Sequence, residues 1–156
     1  MSIADEILLL AHDDTSGKRI GAAINVDAAL AAALLVELVL AGVPDVCSSD
    51  LAEAGWRERG KVTVLNSSPT DDPDLDTLLA RLGEREGQKV KSLVRPTAWR
   101  GVAKGLRDRR LAALVRQGIL AEERAEVLGL RRYPTLDAAP EREVRTRLRS
   151  ALIDGL

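Results

Sequence analysis

Ile3, Ile7 and Leu10 recur at helical spacing behind Ser2, a residue suited to cap a helix, and predict a first helix that ends before the Asp13-Asp14-Thr15-Ser16-Gly17 turn. From Asp27 the chain is apolar on nearly every face through Leu30, Leu34, Leu38 and Ala41, then stops at Gly42. That pattern predicts a helix buried on all sides. Residues 43–60 are broken by Pro44, Ser48-Ser49-Asp50 and Gly55 and read as loop with a short strand, while Lys61 to Leu65 alternates and is β-branched, a second short strand.

Asp72 followed by Pro73 predicts the next helix start, with Leu75, Leu78, Leu79 and Leu82 as the buried face and Gly83 or Gly87 at the end. Lys89 to Arg95 predicts a short basic helix closed by Pro96. A longer helix then runs from about Thr97 to Gln117, with Gly118 as its stop. Ile119–Ala121 and Val127–Leu130 flank the polar residues 122–125, as the two arms of a β-hairpin would. Pro140 opens a last helix with Val144, Leu148, Ala151 and Leu152 on one side. The expected fold is mostly α: a helical core with one or two small β-hairpins, folded as a single domain over residues 1–156.

Composition narrows the function. The chain has 46% hydrophobic residues, enough for a folded core, and only 2% aromatic, which argues against an all-β sandwich. One cysteine (Cys47) and one histidine (His12) exclude an internal disulfide and a multi-cysteine zinc site. The apolar run at Ile7–Ala11 follows two acids rather than a basic segment, and the run from Ala28 to Val43 contains Glu37. Neither reads as a signal peptide or a span, so a cytoplasmic location is expected.

Charge is unevenly spread. Residues 1–60 carry 4 basic and 10 acidic side chains, whereas residues 89–120 carry 9 and 1. Such a basic stretch either neutralises the acidic half of the same chain or presents a field to an external anion. Arg100, Lys104 and Arg107, spaced i, i+4, i+7, fall within about 60° of one helix face, with Arg110 at its edge. They are the candidate anion site.

Other candidates lead elsewhere. Asp72, Asp74 and Asp76 alternate as in a calcium loop, but Thr77 and Gly83 stand where that loop needs Gly and Glu, so helix capping explains them. His12 has no nucleophile placed beside it by any motif, Cys47 has no basic neighbour in sequence, and no Gly-rich phosphate loop is present. No enzyme activity and no cofactor are expected.

Several strings in order resemble the Golgi phosphoprotein 3 family. They are Glu6-Ile7-Leu8-Leu9-Leu10 before an acidic Gly turn, Leu34 to Gly42, Pro69-Thr70 with Asp72, Leu75 and Asp76, Leu106-Arg107-Asp108-Arg109, Leu114 to Leu120, and Tyr133-Pro134. The resemblance implies a helical core with a protruding apolar hairpin, and a peripheral membrane adaptor that binds phosphatidylinositol 4-phosphate-type headgroups. Eukaryotic members do so on Golgi membranes, and this chain is closer to the bacterial type. The family's lipid pocket combines a Trp, an Arg on the long apolar helix and a basic pair three residues apart. The basic pair falls on Lys104 and Arg107, but Ala22 and Ala31 stand at the other two positions. Val43 to Trp56 has no counterpart, and relatives continue past Leu156, which implies a C-terminally shortened member.

The first expectation is therefore an anionic phospholipid surface as partner, met by Lys104, Arg107, Arg100 and Arg110. Val127, Leu128 and Leu130 of the hairpin would either insert shallowly or cover a core edge, and a homo-oligomer would multiply weak contacts. A basic helix followed by a hairpin also describes a winged-helix nucleic-acid binder. A ligand-free assembly module is the third reading.

Overall fold

The computed structural model describes residues 1–40, 46–48, 62–64, 68–85, 87–89, 102–124 and 130–153. They form two units: residues 1–26 with 107–156, and residues 27–106.

In the first unit, α1 (Ile3–Leu10) begins as its sequence requires. Ser2 Oγ accepts the Asp5 N–H at 3.1 Å while the Asp5 carboxylate accepts the Ser2 N–H at 3.1 Å, a reciprocal cap that satisfies donors the helix cannot use. Ala4, Leu8 and Leu9 are buried. The turn after α1 is held by Asp13, whose carboxylate accepts the Ser16 N–H and hydroxyl at 2.8 and 2.7 Å.

That turn pairs with a distant segment. Tyr133 N–H donates to Gly17 O and Thr135 N–H to Asp14 O, both at 2.9 Å. Gly17 has φ +61°, and a Cβ there would lie 2.3 Å from Pro134 N, so only glycine allows the approach.

In the same unit, α4 (Ala103–Arg116, of which 107–116 belong here) buries Leu111 and Leu114 and ends at Gly118, φ +73°. β3 (Glu123–Arg124) pairs antiparallel with β4 (Arg131–Arg132), Glu123 opposite Arg132 and Arg124 opposite Arg131. An isolated bridge joins Leu120 to Thr135. Glu123 and Arg124, read from sequence as turn, are therefore strand. The register is set by the burial of Leu120 and Tyr133, which moves the reversal C-terminal of Arg124.

α5 (Ala139–Ile153) starts one residue before Pro140, its Ala139 N–H donating to the Asp137 carboxylate at 2.9 Å. Of the apolar residues expected on one side, Val144 is buried, whereas Leu148, Ala151 and Leu152 are exposed. Periodicity found the stripe, but α1 covers only its N-terminal part.

In the second unit, β1 (Val46–Ser48) pairs antiparallel with β2 (Val62–Val64), Cys47 opposite Thr63. α3 (Pro73–Gly83) starts at Asp72, whose carboxylate accepts the Asp74 N–H at 2.8 Å. Asp76 in turn accepts the Thr70 N–H and hydroxyl at 2.6 and 2.8 Å. The acids are thus engaged at the helix start as expected, and Leu75, Leu78, Leu79 and Leu82 are buried.

α2 (Ala23–Leu40) begins four residues before Asp27 and lies mainly in this unit. Leu30, Ala31, Ala33, Leu34 and Leu38 are buried, but Val36, Val39 and Leu40 are exposed. An apolar circumference was expected to be buried all round; one face is. The expected basic helix at Lys89 to Arg95 and the residues from Thr97 to Gly101 lie outside the described residues, apart from Lys89. The long basic helix is observed from Ala103.

Candidate anion-binding helix

α4 carries the expected basic pair, and its residues meet different surroundings. Lys104, in the second unit, is exposed. Arg107, in the first, keeps only 12% of its side chain exposed and has Nε 3.8 Å from Asp108 Oδ1. Arg110 is as buried, at 11%; its Nη1 donates to Ser2 Oγ at 3.2 Å and stands 3.7 Å from Asp5 Oδ1. The cap of α1 and the middle of α4 are thereby one ionic cluster, because Asp5 accepts a helix N–H and faces a guanidinium together. Arg100 lies outside the described residues.

His12 sits behind this cluster, 5% exposed. Its Nδ1–H donates to Leu8 O at 2.7 Å, and its ring meets Tyr133 edge-on at 5.7 Å. Burial holds the imidazole below its ordinary pKa, with smaller contributions in the same direction from Arg19 and Arg107, against the Leu8 carbonyl. A buried, neutral, carbonyl-bound His12 is a structural residue.

The hairpin positions divide as well. Val127 and Leu128 lie outside the described residues. Leu130 is 61% exposed, next to Arg131, whose charge is favoured by the Tyr133 hydroxyl and by Glu122 at 3.4 Å. Of the two alanines at the expected pocket positions, Ala22 is exposed and Ala31 is fully buried. An arginine at 31 would have to carry its guanidinium out of a packed helix face.

A second basic surface, on α5, was not singled out by sequence reasoning. Leu148, Leu152 and Ile153 form with Leu10 of α1 an open groove of about 350 Å³ with Arg145 and Arg149 at its rim. Its signal was present as Arg145, Leu148, Arg149 and Leu152 at i, i+3, i+4, i+7. Arg145 also donates through Nε to Glu141 Oε1 at 2.7 Å. Burial and the adjacent Asp14 carboxyl push Glu141 above its ordinary pKa, against the pull of Arg145.

Among the described residues no group of three or more His, Cys, Asp or Glu could hold a metal ion. No helix among them is long and apolar enough to cross a membrane.

A mostly helical fold with small antiparallel ribbons and a basic helix before the second ribbon is the architecture expected of a Golgi phosphoprotein 3-like protein. The family model described as Golgi phosphoprotein 3 (GPP34) matches residues 3–156, and the chain belongs to that family. Comparison with curated proteins gives no match.

Proposed function

We propose that this protein is a peripheral membrane adaptor that binds anionic phospholipid headgroups, phosphoinositides included, through α4. The observation that carries the reading is the exposed ammonium of Lys104, in the most basic stretch of a chain that belongs to this family. Lys104 is the headgroup-contacting residue, and within the first unit Arg110 fastens α4 to the start of α1.

Each cation near an anionic surface contributes about 1 kcal/mol, so Lys104 supplies a factor of about five. That is too little for stable attachment. Charge therefore directs the protein to the surface, and apolar contact must hold it there.

The test is co-sedimentation of the full chain with phosphatidylcholine vesicles containing phosphatidylserine or phosphatidylinositol 4-phosphate, with neutral vesicles and duplex DNA as controls. Lys104→Glu should weaken binding to anionic vesicles roughly five- to thirtyfold. Unchanged binding rejects the site. DNA binding that weakens steeply with salt, without vesicle binding, would favour a nucleic-acid role instead.

A further inference from the structure

The C-terminal half of α5 places aliphatic side chains in water beside arginines. Leu152 and Ile153 are 70% and 69% exposed and Leu148 is 47% exposed, while earlier turns of the same stripe bury Val144 and Glu141. Leu10 adds a fourth apolar wall from α1, and the two helices are also joined by the Arg147–Glu6 ion pair at 2.5 Å. Arg145 and Arg149 flank it, and Arg142 is exposed one turn before.

We infer that this groove is a lipid-contacting surface: α5 lies along an anionic leaflet, its leucines and Ile153 in the acyl boundary and its arginines at the phosphates. The inference rests on the membrane reading above and assigns the apolar contact that charge on α4 leaves unaccounted for. Aliphatic residues interleaved with arginines on one stripe are what an interfacial helix presents, because the arginine stems lie along apolar surface while the guanidinium heads reach the phosphates.

Charge also selects against a second copy as the occupant. In a twofold contact the same patch meets itself, so Arg145 and Arg149 would face Arg145 and Arg149 across a closing apolar seam. A leaflet offers negative charge and a deformable apolar phase together.

The test uses the full chain with Cys47→Ser and an environment-sensitive fluorophore on Leu152→Cys, or on Glu143→Cys as a control on another face of the helix. Vesicles of phosphatidylcholine with phosphatidylserine should blue-shift the probe at 152 and leave that at 143 unchanged, and neutral vesicles should shift neither. In parallel, Leu152→Asp should lower co-sedimentation roughly tenfold, and Arg149→Glu should lower it by roughly the same factor as Lys104→Glu.

The inference is overturned if Leu152→Asp binds like the parent while Lys104→Glu does not; the α4 reading then stands alone. It is equally overturned if the probe at 152 stays water-like in the bound fraction. Should Leu152→Asp instead change the mass in light scattering with vesicle binding untouched, a second copy covers the groove. Absence of vesicle binding by the parent chain would remove both readings.

Discussion

α4 and α5 both carry arginines at helical spacing, yet they use them in opposite ways. On α4 the side chains of Arg107 and Arg110 are about nine-tenths buried, and Arg110 is set against Asp5 and Ser2. On α5 Arg145 and Arg147 remain more than half exposed even though each is paired, and they stand on a helix with exposed leucines. Residue type and spacing are alike in the two helices. What differs is how deeply the fold sets each side chain: Arg110 meets the buried Asp5 carboxylate, whereas Arg145 and Arg147 stay at the surface in their pairs.

The comparison is broken most forcefully at Arg110. Replacing it with alanine strands the Asp5 carboxylate in a half-dry site, so Arg110→Ala should cost about 3 kcal/mol in urea unfolding, while Arg149→Ala stays within about 0.5 kcal/mol. Equal effects would mean that burial does not separate the two helices. Ser2→Ala removes the α1 cap and a hydrogen-bond partner of Arg110, and should cost about 1 kcal/mol by the same measurement. Arg147→Ala, which removes an exposed pair with Glu6, should have the smallest effect of the three and become neutral in high salt.

Proton binding gives the finest resolution. The His12 imidazole is depressed below 6.5 in the folded protein, so the stability it contributes is present above that value and is lost as pH falls through its folded pKa. Glu141 runs the other way. Its carboxyl is raised above 4.5, so its contribution is present below that value and is lost as pH rises through the folded pKa. Thermal melts across pH should show His12→Gln flattening the decline on the acid side of 6.5, and Glu141→Gln flattening the decline on the basic side of 4.5.

How much of this was legible in the sequence depended on distance along the chain. The starts of α1 and α3 and the glycine stop at 118 were readable because each is decided within a few residues, by Ser2 with Asp5, by Asp72 with Pro73, and by the left-handed φ at Gly118. The β3–β4 register was displaced because it answers to the burial of Tyr133, a choice no local pattern announces. Arg110 looked like part of an open basic face because Asp5, its partner, precedes it by more than a hundred positions. The leucines of α5 had the right period for a buried stripe, but period alone does not say how far a neighbouring helix extends.

The first unit joins the opening 26 residues to a segment that begins at Arg107. During synthesis, α1 therefore emerges long before α5, the helix it packs against in this unit, because some eighty residues of the other unit leave the ribosome in between. Closure of so long a loop makes this unit slow to assemble, and the Ser2–Asp5 cap gives α1 a local reason to stay helical while it waits.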